Sequence, residues 1–255
     1  MPKMDLVFRS AILNAEGMLG FAPDPRNTPG FTELGAFITN PVSLLPRPPA
    51  EARCAISFDG GVLLHSGFPN PGLVKVLKKY ARLWRSATMP VILHLMAEDQ
   101  QEMEQCLRML EIADGLAGVE LSFKPGTGPQ EKANMLLSVL REWPVIAQLG
   151  IEEIGKVLPL LDGETVTAVS LLPERGRLPR KLPNGQWDWV QGRLYGPALF
   201  PQIAMQVELA RQNGIPVIAA GGVTQLAEVE MLIQAGALAV KVDTIFWSGG
   251  ISFQG

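Results

Sequence analysis

The chain has 255 residues, of which 47% are hydrophobic and 18% charged; this excludes a disordered segment and suits one α/β domain, residues 1–255, around an interior sheet. With 22 basic against 25 acidic residues and a formal net charge of −3, there is no basic stripe to neutralise nucleic-acid phosphates, so the expected partner is a small-molecule substrate and not nucleic acid. Neither the opening "MPKMDLVFRS" nor any later segment supplies about 18 uninterrupted apolar residues, which points to a cytoplasmic protein with no membrane partner.

In chain order, "LNAEGMLGF" (13–21) precedes the β-branched run "GAFITN" (35–40). Further short runs without polar alternation follow: "PVILHLM" (90–96), "GVELSF" (118–123), "PVIAQLG" (144–150), "AVSLL" (168–172), "PVIAAGG" (216–222) and "LAVKVDT" (238–244). Their length and continuity predict buried parallel strands. Between them lie "NPGLVKVLKKYARLWRSA", "DQQEMEQCLRMLEIA", "GPQEKANMLLSVLREW", "EEIGKVLPLL", "PALFPQIAMQVELARQNG" and "TQLAEVEMLIQAG", each with apolar residues at helical spacing. Two Pro/Gly-rich stretches, residues 41–72 and 173–195, are too long for tight turns and are expected as loops over the C-terminal rim of a barrel, where ligands sit. The alternation predicts a (β/α)8 TIM barrel with a short N-terminal hairpin. An open doubly wound sheet is the competing architecture.

Candidate chemistry is sparse. Cys54 and Cys106 lack metal-ligand spacing and read as plain thiols; with only His65 and His94 a histidine-rich metal centre is excluded, and no metal is expected. His94, near a strand C-terminus, is a candidate acid or base facing the rim, or else a hydrogen-bonded core histidine. Gly221-Gly222 offers a turn whose backbone N–H groups can approach a phosphate, or simply a tight packing turn. The insertion carries Arg175, Arg177, Arg180, Lys181 and Arg193 with Trp187 and Trp189, a set suited to closing over an anion, or to a solvated loop with its tryptophans packed on the rim. The sequence leaves room for a homo-oligomer.

In order, "LNAEGMLGF", "LGAFITNPVSLLPRP", "GFPNPG", "GRLYGPALFP" and "AAGGVTQLAEVEMLIQAGALAVKVDT" resemble the flavin-dependent dihydroorotate dehydrogenase family of barrels over nearly the whole chain. "GRLYGPALFP" is similar to the family's Gly-Gly-Leu-Ser-Gly phosphate turn. The resemblance implies an FMN site at the strand ends, with Ala15 and Gly17 contacting the flavin and Gly196, Gly221, Gly222 and Thr244 around the phosphate. Family lysines fall on Asn40 and Gln148, the latter still able to hydrogen-bond a flavin carbonyl. Substrate asparagines fall on Leu64 and Ser122. The Cys or Ser base after the fourth strand is absent from "LSFKPGTG", where Lys124 is the candidate base if its pKa is lowered, or else a solvated loop lysine. Asp243 replaces a phosphate-binding glycine, so FMN is expected to be held weakly or substoichiometrically. The resulting expectation is an FMN-binding oxidoreductase for a substrate other than dihydroorotate. The alternatives are a catalytically inactive barrel serving as a binding or assembly subunit, and a flavin-free barrel acting on another phosphorylated ligand.

Overall fold

The computed structural model describes residues 7–246 except 27, 29, 52, 112, 141, 142 and 173. Parallel strands run in the order β1 (Ile12–Asn14), β13 (Ala239–Val242), β12 (Val217–Ala220), β9 (Ala168–Leu171), β8 (Val145–Leu149), β7 (Gly118–Phe123), β6 (Val91–Ala97) and β2 (Phe37–Ile38), with β3 (Val42–Ser43) continuing β2 along β6. That makes eight positions of a nearly closed barrel. The closing seam is short: a bridge joins Leu13 to Ala36, and the Asn14 amide extends it by donating to the Ile38 carbonyl (2.6 Å) and accepting from the Ile38 N–H (2.8 Å). A side chain thus supplies ladder bonds that a third backbone pair would make. A Cβ on Gly35 would lie 1.9 Å from the Ser10 carbonyl oxygen, so the seam admits only glycine there.

Helices α1 (Leu73–Arg85), α2 (Gln100–Leu110), α3 (Pro129–Leu140), α4 (Ile151–Val157), α5 (Phe200–Gln212) and α6 (Leu226–Ala235) wrap the outside. All six coincide with the helical patterns of the sequence. Their ends follow from side-chain chemistry. Asp99 caps α2 by accepting from the Glu102 N–H at 2.8 Å, and Gly236 at φ 115° ends α6. The outer core packs these helices on the sheet. Inside the barrel Leu13, Ala36, Ile38, Ile92, Ile146, Ala168, Ile218 and Ala239 form a separate apolar layer. Because side chains alternate along a strand, the next inward positions toward the C-terminal end are His94, Glu120, Gln148, Ser170 and Lys241, all buried. The barrel is therefore closed by a polar layer directly beneath the ligand rim.

The two expected rim loops are not irregular. β4 (Cys54–Phe58) and β5 (Gly61–His65) form one hairpin, and β10 (Arg175–Lys181) and β11 (Trp187–Tyr195) another; β11 pairs with β5, giving a four-stranded antiparallel sheet in the order β10-β11-β5-β4. Pro179 lies in β10, an edge strand, where the missing N–H costs no ladder bond. Trp187 and Trp189 do not pack on the rim but are largely exposed, Arg177 lying over the Trp189 ring at 5.5 Å. The expected N-terminal hairpin would precede β1, where residues 1–6 lie outside the described residues. Among the described residues no helix is long and apolar enough to cross a membrane. Cys54 and Cys106 are free thiols, and burial followed by Glu102 pushes Cys106 up to about 12.

Candidate functional site

The C-terminal strand ends open into a cavity of about 570 Å³ between the barrel and the four-stranded sheet. Ser122 and Gln148 form part of its lining from the barrel; Leu64, His65 and Phe68 line it from β5 and the following loop, and Arg175, Arg193 and Tyr195 from the second hairpin. Arg47 and Arg175, both exposed, also line the cavity, and neither makes an ion pair among the described residues. Burial, then Arg193 beside it, holds Arg175 below the usual arginine value. Two arginines without an ion-pair partner in the lining of one cavity favour an anionic ligand.

Beneath the cavity runs a buried charge network. Glu16, just after β1, accepts from Lys241 Nζ (3.0 Å), Arg193 Nη1 (3.0 Å) and Gln148 Nε2 (2.7 Å). Lys241 also bonds Glu120, whose second oxygen lies 2.7 Å from His94 Nδ1. His94 Nε2 is in turn 2.8 Å from Ser122 Oγ. Burial alone would raise both carboxyls, but Lys241 leads the opposing interactions and holds Glu16 and Glu120 below the usual carboxylate range. Burial likewise opposes the Lys241 charge, and Glu120 and Glu16 together keep its pKa raised. Glu16, His94 and Glu120 bring donor atoms within 4.8 Å of one another, a spacing that suits a metal ion, but the Lys241 ammonium is the cation already bound to both carboxylates.

The structure redistributes the expected roles. His94 is fully buried within the network rather than facing the rim, and touches the cavity only through Ser122. Lys124 does line the cavity, but it is exposed and bound to Glu98 at 2.7 Å, and that hydrogen bond raises its pKa. A base needs the opposite shift, so the candidate base is corrected to a solvated, ion-paired lysine. Asn40 braces the loop after β1, accepting from the Gly20 N–H at 3.0 Å. Gln148 has an unpartnered acceptor, and one of its two amide N–H donors is taken by Glu16. Its Nε2 donates to the Glu16 carboxylate, which can only accept, and its Oε1 is buried without a partner, while the residue itself lines the cavity.

After β12, Gly221 (φ 94°) and Gly222 (φ 79°) adopt the conformation a phosphate cup needs, and a Cβ on Gly222 would lie 2.6 Å from the Phe200 N at the start of α5. The cup's donors, however, face carboxylates of the chain itself. Asp243, 3% exposed, turns Oδ1 back onto the Thr244 N–H and points Oδ2 toward Gly221. Glu228 accepts from the N–H groups of Thr224 (2.6 Å) and Gln225 (3.1 Å). Burial raises Asp243 to about 6, with Thr244 opposing and Glu16 assisting. Gly196 (φ 124°) serves packing: a Cβ there would sit 2.5 Å from the Gly60 carbonyl oxygen. Ala15 is buried, its N–H bonded to Val242 O at 2.9 Å, and Gly17 (φ 85°) faces Phe68. None of Ala15, Gly17, Gly196, Gly221, Gly222, Asp243 and Thr244 lines the cavity. Arg193 and Tyr195, where the family turn has glycine and serine, stand in its wall.

Glu16, Glu120, Lys241 and Arg193 therefore escaped the sequence reading as a set. The only signal was charged residues within otherwise apolar strand segments, "VELSF" and "LAVKV", and a buried charge needs a partner.

No family model matches the chain. It is 25% identical over 256 residues to the catalytic subunit of dihydroorotate dehydrogenase B (NAD(+)) of Trichlorobacter lovleyi, covering 94% of this chain and 84% of that protein. The same subunit of Geobacillus is 25% identical over 257 residues (94% and 82%), and that of Geobacter sulfurreducens 25% over 265 (94% and 84%). The chain is a distant relative of dihydroorotate dehydrogenases, matched along almost its full length.

Proposed function

We propose that this chain is an oxidoreductase of the dihydroorotate dehydrogenase type that holds FMN weakly and acts on a small anionic molecule other than dihydroorotate. The observation that carries this reading is the buried, unpartnered Oε1 of Gln148, a residue of the cavity lining, at a position that the resemblance places against the flavin. An orphaned buried carbonyl costs free energy unless a donor meets it, and a ring N–H is such a donor. Gly17 faces Phe68, which lines the cavity. The residues fit the ring end of an FMN and oppose its phosphate end. Bound there, the flavin would supply hydride acceptance. The chain's own contribution is to orient an anionic substrate through Arg47 and Arg175 and to exclude water with the Phe68 loop and the β11 wall.

The occupied cup favours a second reading, a flavin-free barrel binding another anionic ligand. Titrating flavin-stripped protein with FMN separates the two. The oxidoreductase reading expects saturable one-to-one fluorescence quenching with Kd in the micromolar range, about −8 kcal/mol at 1 μM. Quenching that stays linear to millimolar FMN would remove it in favour of the flavin-free barrel.

A further inference from the structure

The flavin reading leaves Ser122, His94 and Glu120 without a task. Glu120 and Ser122 are two residues apart on β7 and share its inward face, and the parallel register sets His94 of β6 opposite Glu120. The imidazole bridges them, with Nδ1 to Glu120 Oε2 at 2.7 Å and Nε2 to Ser122 Oγ at 2.8 Å. A carboxylate only accepts, so Nδ1 donates, and in the neutral ring Nε2 is left to accept the serine proton. Lys241 keeps Glu120 ionised for that role. The serine end, and only that end, opens onto the cavity. This is the acid–imidazole–hydroxyl order that activates a nucleophile, recognised by geometry and not by position in the chain.

We propose that Ser122 is a nucleophile for acyl transfer, activated by His94 and oriented through Glu120, acting on small esters or thioesters whose acyl group carries a carboxylate. Ser122 Oγ attacks the carbonyl carbon while its proton passes to His94 Nε2. The bond to the leaving oxygen or sulfur then breaks, and His94 returns the proton to the leaving group. Water attacks the acyl-serine by the same route, giving an acid and an alcohol or thiol with no oxidant or reductant. Lys132, whose side chain is 8% exposed, lines the same cavity, where it is ion-paired with Glu153 at 2.5 Å, so the developing oxyanion would have to share that ammonium. Arg47 and Arg175 take the substrate carboxylate.

The proposal stands apart from flavin binding, and its test uses flavin-stripped full-length protein. Incubation with a fluorophosphonate probe, followed by peptide mass mapping, is expected to place one adduct per chain on Ser122. The p-nitrophenyl monoester of succinate is expected to be hydrolysed faster than p-nitrophenyl acetate. Ser122→Ala, which removes one oxygen and is expected to fold as the wild type does, is expected to abolish the adduct and lower hydrolysis at least about hundredfold; His94→Gln is expected to do the same where it folds. Folded wild type that forms no adduct, an adduct on another residue, or Ser122→Ala hydrolysing within about twofold of wild type would each overturn the proposal and leave the three residues a structural chain.

Discussion

Lys241→Met is expected to lower the stability of the fold by about 3–5 kcal/mol at pH 7, the cost of breaking a buried ion network by removing one partner. Lys241 is fully buried and binds Glu16 and Glu120 from one strand end. Without it, Glu120 keeps only His94, and Glu16 keeps Arg193 and Gln148. The pH dependence should also change sign. In the wild type the carboxyls of Glu16 and Glu120 are held low, so their contribution is present above the ordinary value of 4.5 and is lost as acid protonates them. In the variant the largest opposing interaction is gone and only His94, Arg193 and Gln148 still act against burial, so both carboxyls are expected to rise and stability to increase as pH falls from 7 toward 5. Urea denaturation at both values measures this. A variant within about 1 kcal/mol of wild type at pH 7 would mean that the polar layer is incidental to the barrel.

With FMN supplied in excess, dihydroorotate is expected to reduce the bound flavin at least about hundredfold more slowly than a competent dihydroorotate dehydrogenase does, because loss of a positioned base alone removes 10²–10⁴-fold. The shortened loop after β7 offers only Lys124, whose Glu98 partner stabilises the protonated form. On the substrate side Leu64 brings an apolar side chain to the cavity where the family has an asparagine. Anaerobic bleaching of flavin absorbance gives the rate. A value within about tenfold of the family enzyme, a gap of only about 1.4 kcal/mol, would contradict this assignment.

The barrel was legible because its strands are continuous apolar runs and its helices carry one apolar face, both local patterns. The second sheet was not. β10, Arg-Gly-Arg-Leu-Pro-Arg-Lys, has no apolar run and is stabilised by β11, which in turn docks on β5 more than a hundred residues earlier, a pairing no local pattern carries. The same distance hides the polar layer. Glu16, Glu120 and Lys241 meet only because the barrel closes, and in isolation each reads as a polar interruption. Asp243 is the opposite case. Its replacement of a glycine could be read in the sequence, and the structure adds which donor the carboxylate takes.

FMN affinity of the wild type against Asp243→Gly, by fluorescence quenching of flavin-stripped protein at pH 7.5 and 5.5, tests most directly whether a flavin site persists here with a self-occupied phosphate cup. The Asp243 carboxylate consumes the Thr244 N–H and faces Gly221. Two charges about 5 Å apart at an effective dielectric near 20 repel by roughly 3 kcal/mol. Tyr195 and Glu16 are the other ionisable groups that act on Asp243, and Glu16 raises its pKa. Since Asp243 titrates at about 6, wild-type affinity should rise as pH falls through that value, whereas the variant's should not rise. At pH 7.5 Asp243→Gly is expected to bind FMN at least about tenfold more tightly, a gain of roughly 1.4 kcal/mol. Equal or weaker binding by the variant, with no difference in pH response, would contradict the self-occupied cup.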